Sequence, residues 1–472
     1  MDFKSIKRIL AVLTVVFWAF AIGIYAIANE QFRFSPVQGE APGMEFAIGE
    51  LIDGQTVEQK LVSPSDVLDG IEILAGDYGR VNNGILYVSL IDEAEMVLSN
   101  LTVDISAVKN GVYTAFEFED RIDTTPGQEL TLLLETEGCE PGNAITIYAG
   151  NRMQDGTYRF GEAEENGTLC VRLNGCNAIN FYKTYWVLIV GAFAVLAAWC
   201  AWELHRAKKG KNNLLLMLFY VYDHYTFLLK QLVARDFKTK YKRSSLGMAW
   251  SFVNPLLTMS VQYVVFSTLF KTDIPNYPVY LLSGIVFFNF FNEAVTIGMT
   301  AITGNATLIK KVYMPKYIYP VSKVISSSVN FLCALAPLFL VMLITKTPFK
   351  VSIFLLVFDI LCLLAFIIGL VLLLATAMTF FQDTQFLWGI ACMMWQYMTP
   401  IFYPETIIPK ALLPYYRLNP MYQFVSFART CIIDGISPGP SAYFMCLVSA
   451  VVMLLLGVAV FRKQQNKFVL YL

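Results

Sequence analysis

The chain has 472 residues, 56% of them hydrophobic and 15% charged, with a mean hydropathy of +0.54. That composition excludes an ordinary soluble globular protein. The near-zero net charge hides a segregation: residues 29–183 hold 26 Asp/Glu and 9 Lys/Arg, while the rest holds 10 acids and 26 bases. Basic residues flanking apolar runs, beside one acidic block, are the mark of a multi-pass membrane protein whose acidic domain lies on the non-cytoplasmic side. Nothing in the pattern suggests a nucleic-acid partner.

A helix needs about 20 apolar residues to cross a ~30 Å hydrocarbon core. Eight runs answer that description: 9–28, 185–202, 246–270, 279–301, 319–345, 352–380, 386–403 and 442–461. Lys4, Lys7 and Arg8 precede the first run, and Arg462, Lys463 and Lys467 follow the last. An even number of spans therefore places both ends in the cytoplasm. The first run is read as a retained anchor, because its apolar stretch exceeds the ~7–15-residue core of a signal peptide. Cleavage near Ala26-Ile27-Ala28 is the alternative. The expected organisation is a cytoplasmic start and anchor (1–28), an extracellular domain (29–183), a second span (184–204), a linker with an interface helix (205–245), a six-helix core (246–461) and a cytoplasmic tail (462–472).

The acidic insertion alternates in a β-strand period. Strands are expected at 84–91, 112–118, 130–134 and 144–148, separated by Asp53-Gly54, Asn82-Asn83-Gly84, Pro126-Gly127 and Pro141-Gly142. Short strands at this spacing predict an antiparallel β-sandwich. The stretch GIEILAGDYGRVNNGILYVSLID resembles jelly-roll carbohydrate-binding modules. Tyr78, Tyr87, Tyr113, Phe116 and Tyr158 are then either sugar-stacking rings or sandwich core. A cap that binds nothing is the alternative reading of the domain. Cys139, Cys170 and Cys176 lie in this oxidising compartment; three thiols allow at most one pair, and Cys170–Cys176 closing a hairpin is one candidate. With two histidines and neither CxxC nor HExxH, no metal site is expected.

After the second span, Tyr225, Leu228, Leu229, Leu232, Val233, Phe237 and Tyr241 recur at i, i+3/i+4. Arg235, Asp236, Lys238 and Lys240 occupy other positions, so an amphipathic helix lying in the interface against membrane lipids is expected. Further on, the loop Lys310, Lys311, Val312, Tyr313, Met314, Pro315, Lys316 sits between two spans on the basic side. Its Tyr and Met form an apolar pair suited to docking in a soluble partner. Near the seventh run, Pro400, Pro404, Pro409 and Pro414 forbid a straight helix, and Phe402 and Tyr403 lie among them. A re-entrant outer hairpin is expected there, covered by protein or a water-filled cavity.

Aromatics crowd the core spans. Trp250, Tyr263, Phe266 and Phe270 of the third run, Phe287 and Phe291 of the fourth and Tyr397 of the seventh are candidate pore rings, with helix packing as the alternative. Glu293 and Asp359 lie within spans, where an acid costs roughly 2.5–3.5 kcal/mol by insertion scales, and are candidate pore or subunit-interface residues.

The segments ARDFKTKYKRSSLGMAWSFVNPLL, LIKKVYMPKYIYPVSKVISS, Asp383 and MTPIFYPETIIPKALLPYYRLNPM, in that order, resemble type-2 ABC export permeases of the polysaccharide, O-antigen and teichoic acid branch. Gln382 departs from the arginine often found before that aspartate. The resemblance covers about residues 215–472 and implies that 310–316 couple to an ATPase. It also implies a homodimer around a shared pore, and a lipid-linked glycan as substrate. No Walker A motif occurs in the sequence, so ATP and Mg are expected on two copies of a separate ATPase subunit, with no cofactor and no catalysis on this chain. The same architecture exporting a drug, peptide or lipid is the first rival. A membrane-anchored adhesin or sensor is the second.

Overall fold

A computed structural model describes residues 3–108, 110–150, 156–208, 214–241, 247, 249–269, 276–311, 314–409 and 411–472. It divides into two compact units, Met1–Gln31 with Lys183–Leu472, and Phe32–Tyr182.

The second unit is β-rich, with strands β1 Phe34–Gln38, β2 Phe46–Ala47, β3 Thr56–Val62, β4 Val67–Gly76, β5 Ile85–Ile91, β6 Val97–Asp104, β7 Val112–Asp123, β8 Glu129–Glu137, β9 Thr146–Gly150, β10 Thr157–Phe160, β11 Ala163–Asn166, β12 Thr168–Leu169 and β13 Val171–Ala178. One antiparallel sheet runs β1-β13-β4-β9-β12, with β2 on β9 and β7 on β4; the other runs β11-β10-β3-β8-β5-β6. Alternation explains the interior. Leu86, Val88 and Leu90 of β5 and Leu130, Leu132 and Leu134 of β8 point the same way, and Val88 pairs with Leu134. They share one apolar core with Leu68, Ile71 and Ile73 of β4 and Val171 and Leu173 of β13, from the other sheet. Gly84, before β5, has φ +148, and a Cβ there would sit 2.7 Å from Cys139 Sγ.

The candidate disulfide is corrected by this topology. Cys170 and Cys176 do not face each other across a hairpin, because Val171–Ala178 is a single strand. At ~3.3 Å per residue the two thiols are separated by about 20 Å, several times the reach of an S–S bond. Of the five candidate sugar-stacking rings, Tyr158 is core and Phe116 packs against it. Tyr78 is exposed, Tyr87 donates to Glu137 at 2.6 Å, and Tyr113 lies under the Arg172 guanidinium at 3.9 Å.

The first unit is helical: α1 Phe3–Arg33, α2 Phe181–Lys208, α3 Leu214–Tyr241, α4 Ala249–Leu269, α5 Tyr277–Met299, α6 Ala306–Lys311, α7 Ile318–Ile344, α8 Leu356–Phe380, α9 Thr384–Tyr397, α10 Leu413–Arg417, α11 Pro420–Arg429, α12 Pro440–Gln464 and α13 Phe468–Tyr471. Among the described residues, six helices are long and apolar enough to cross a membrane: those of α1, α2, α5, α7, α8 and α12. Two expected spans differ. α4 has 21 residues, but Asn254, Pro255 and Gln262 dilute its apolar character. α9 has 14 residues, about 21 Å at 1.5 Å each, and the chain then breaks at the prolines.

α5 and α8 are the interior helices of this unit, whereas α1 and α2 expose most of their length. α8 crosses α12 at a pair of glycines. A Cβ on Gly457 would sit 1.9 Å from the Gly369 carbonyl oxygen, and one on Gly369 would sit 2.3 Å from that of Met453. Such backbone approach replaces the hydrophobic drive that helices lack in lipid.

Candidate functional site

Three polar constructions stand out in the helical unit. The first anchors α3. Leu232 is buried, and Leu228, Leu229, Val233 and Phe237 are half-buried, while Lys230, Gln231, Arg235 and Lys238 are exposed. The amphipathic pattern is therefore realised, and Tyr241 ends the helix with a side chain outside the described residues. Asp236 pairs with Lys323 of α7 at 2.8 Å and with its neighbour Arg235 at 3.2 Å. Lys240 Nζ reaches Glu293 Oε1 of α5 at 2.9 Å, and Asn330 of α7 donates to the same oxygen at 3.0 Å. Glu293 is thus no lone intramembrane acid. It ties α3 to two spans.

A cavity of about 480 Å³ opens beside that ion pair, lined by Lys240, Trp250, Asn254, Asn289, Glu293 and Asn330 among others. Asn254 is exposed in the second turn of α4 and Asn289 in the middle of α5, and Trp250 is 43% exposed.

The second construction holds the break after α9. Four successive carbonyls, those of residues 400–403, leave the helical pattern and are each met by side chains. Arg429, only 8% exposed, donates to Pro400 O at 2.6 Å, to Ile401 O at 2.9 Å and to Tyr280 O at 3.1 Å. The single Tyr280 hydroxyl proton is shared between Tyr403 O at 2.8 Å and Pro400 O at 3.1 Å, and Tyr277 Oη donates to Phe402 O at 2.7 Å. The Arg429 guanidinium lies 3.4 Å from the Tyr280 ring centroid. Irregular backbone away from water must find such partners. Gly284 supplies the room, since a Cβ there would meet Arg429 Nη2 at 2.8 Å. Asn419 completes the fastening. Trp395 Nε1 donates to its Oδ1 at 2.6 Å, and its Nδ2 donates to Thr399 Oγ1 at 3.1 Å. Pro404 lines a second cavity, of about 320 Å³, together with Arg429, Glu405 and Asp434, while Pro409 lies further along the irregular stretch.

At this break several candidate pore rings meet. Phe266 stacks on Phe402 at 5.2 Å and 9°, Tyr397 is 6.2 Å from Phe402, Tyr263 is 6.0 Å from Tyr277, and Tyr403 Oη donates to Tyr397 O at 2.8 Å. Phe287 and Phe291 are a correction. Both are 0% exposed; Phe287 packs on Phe331, and Phe291 sits among Trp388, Trp395 and Phe366. The i, i+4 spacing that grouped them reports core. Asp359 is likewise fully buried and lines neither cavity. Phe270 lies outside the described residues.

The third construction is the α6 turn. Lys310 and Lys311 are exposed at its end, and Val312 and Tyr313 lie outside the described residues. Met314 is half-buried against a cluster that includes Ile302, Tyr319, Phe461 and Phe468. Lys316, after the half-buried Pro315, donates to Gln465 O at 2.6 Å, and burial pushes its ammonium below the usual lysine range. Met314 and Lys316 therefore brace the turn, while Leu308, which sequence reasoning passed over, is 36% exposed beside the two lysines. Arg429 and Asn419 were also missed. Only the prolines nearby hint that carbonyl partners are needed.

The model of the ABC-2 type transporter family matches residues 228–433. The O-antigen export system permease protein RfbA of Myxococcus xanthus is 30% identical over 249 residues, spanning 52% of this chain and 95% of that protein. A protein of the same name from Klebsiella pneumoniae is 27% identical over 251 residues, 53% of this chain and 95% of its own length. The polysialic acid transport protein KpsM of Escherichia coli is 25% identical over 248 residues, 50% of this chain and 93% of its own. Relatives matched along nearly their whole length place the conclusion on the helical unit: the chain belongs to the ABC-2 type transporter family, as a membrane permease.

Proposed function

We propose that this chain is the permease subunit of an ABC exporter that moves a lipid-linked surface polysaccharide out across the cytoplasmic membrane. The observation that carries the reading is the 30% identity with a permease named for O-antigen export, over 95% of its length. α4 and α9 join the six long helices to give eight crossings, with 398–419 as a re-entrant segment at the outer mouth. The basic flanks of the first and last spans lie inside, and the acidic β-sandwich lies outside. Two permeases face each other around a two-fold axis, with two ATPase subunits, which bind the ATP and Mg, docked on the α6 turns.

Energetics decides how a lipid-linked chain could pass. Each buried CH₂ contributes about 0.8 kcal/mol. A polyprenyl tail of some tens of carbons would cost tens of kcal/mol to draw through water, so it stays in the bilayer while the glycan takes the polar route. This chain performs no bond chemistry; it binds, orients and moves.

Deleting the gene and labelling surface glycan in intact cells tests the reading. Surface polymer should vanish, and its lipid-linked precursor should accumulate inside. Unaltered surface polymer with no internal accumulation would refute it.

A further inference from the structure

The cavity beside Lys240 and Glu293 has a lining that lipid cannot explain. Asn289 presents an exposed amide in the middle of α5, and Asn254 presents another in the second turn of α4. An amide at the depth of Asn289 is expensive against hydrocarbon and is tolerated where it meets water or a polar ligand. Its volume of about 480 Å³ falls in the ~300–1,000 Å³ range of small-molecule sites. Next to the amides stand the half-open ring of Trp250 and the carboxylate of Glu293. A ring face for C–H surfaces, with amides and a carboxylate for hydroxyls, is the chemistry that recognises a pyranose.

Charge narrows the class further. The lining carries one lysine and one glutamate among the described residues, and they are paired at 2.9 Å. Lys240 thus has its charge matched, and the nearby carboxylate disfavours a phosphate-rich polymer. Glu293 also has a fixed aspect, since Lys240 and Asn330 both hold Oε1. An acceptor already oriented loses little entropy on binding.

We propose that this cavity is a sugar-binding station on the transport path, taking a short stretch of uncharged pyranose units, with Trp250 stacking on a ring and Asn254, Asn289 and Glu293 holding hydroxyls. It rests on the polysaccharide reading and adds the place and the charge class of the glycan. Because Lys240 belongs to α3 and Glu293 to α5, an occupied station also loads the contact between the two.

The full chain with its ATPase, reconstituted in nanodiscs, tests this. Lipid-linked glycan extracted from the source membrane is titrated while ATP hydrolysis is followed, with a polyglycerol-phosphate oligomer as the charged comparison. The half-saturating glycan concentration should rise at least tenfold in Trp250→Leu and Asn289→Ala, and return to within threefold in Trp250→Phe. The polyphosphate should not compete. Asn289 is exposed, so its truncation leaves the fold intact even if Trp250→Leu does not. Unchanged half-saturation in Asn289→Ala and Trp250→Leu, in a complex that glycan does stimulate, overturns the station and leaves the export reading standing. A wild-type complex that no extracted glycan stimulates removes both.

Discussion

Arg429 offers the sharpest test of how the broken segment is held. Replacing it with Met keeps much of the side-chain volume and removes three donations, to Pro400 O, Ile401 O and Tyr280 O. Hydrogen bonds from a charged donor are worth about 1.5–3 kcal/mol each, but one of these acceptors keeps another donor and a second keeps part of one. Tyr280 O retains Ser283 Oγ at 2.9 Å, whereas Pro400 O keeps only a share of the one Tyr280 hydroxyl proton, which lies closer to Tyr403 O. Ile401 O loses the Arg429 donation that meets it, and a buried orphan carbonyl costs about 1–3 kcal/mol. Relief of the buried cation offsets part of the loss. The expected destabilisation is therefore about 2–4 kcal/mol, well short of the sum of three bonds. Arg417, 64% exposed and 3.8 Å from Glu405, is the comparison, and Arg417→Met should cost under about 0.5 kcal/mol. Equilibrium unfolding in mixed micelles measures both. If Arg429→Met lies within about 0.5 kcal/mol of Arg417→Met, the carbonyl clamp does not hold the segment and the reasoning fails.

Gly457→Ala should destabilise the α8–α12 crossing by about 1–3 kcal/mol, because the new Cβ meets the Gly369 carbonyl; Gly191→Ala, with nothing within 4 Å, should be near neutral by the same measurement. Charge reversal at Lys310 and Lys311, combined with Leu308→Ala, should abolish co-purification of the ATPase while the helical content by circular dichroism stays at the wild-type level. Retained ATPase binding would move the docking surface elsewhere. Removing residues 35–178 with a short linker should preserve ATPase coupling and impair glycan export, assayed as surface polymer per permease; full export from the deletion would leave the β-rich unit without a part in transport.

Local periodicity made much of this molecule readable in advance. β5 and β8 could be placed because alternating Leu and Val leave one solution for a half-buried strand, and α3 because its apolar stripe keeps a 3.6 period. Where partners come from distant sequence, the same reading fails. Phe287 and Phe291 look identical to pore rings until Phe331, Trp388 and Trp395 arrive from α7 and α9 to bury them. Arg429 sits in an unremarkable stretch of α11; its role depends on carbonyls 28, 29 and 149 residues earlier. The Cys170–Cys176 pairing failed on one strand boundary, since a hairpin and a straight strand share the same residues between them.

The two fastenings of the helical unit differ in strength, and the difference suggests where it moves. Lys240 and Glu293 keep 41% and 33% of their side chains in contact with solvent, so their pairing is worth about 0.2–1 kcal/mol. Asp236 and Lys323 are more enclosed, at 14% and 20%, yet still partly wet. The carbonyls after α9 are held by buried donors on α5 and α11 at several times that cost per contact. A pull on α6 or α3 from an ATPase would therefore break the Lys240–Glu293 contact long before it disturbed the 400–403 segment. On this ordering the α3 side yields first, and a glycan held in the polar cavity is let go as the Lys240–Glu293 contact parts. The broken segment yields only when further binding or nucleotide energy reaches it through α5, whose Tyr277 and Tyr280 hold the carbonyls and whose Glu293 holds Lys240. One helix carrying both contacts gives the two ends of the path a mechanical order.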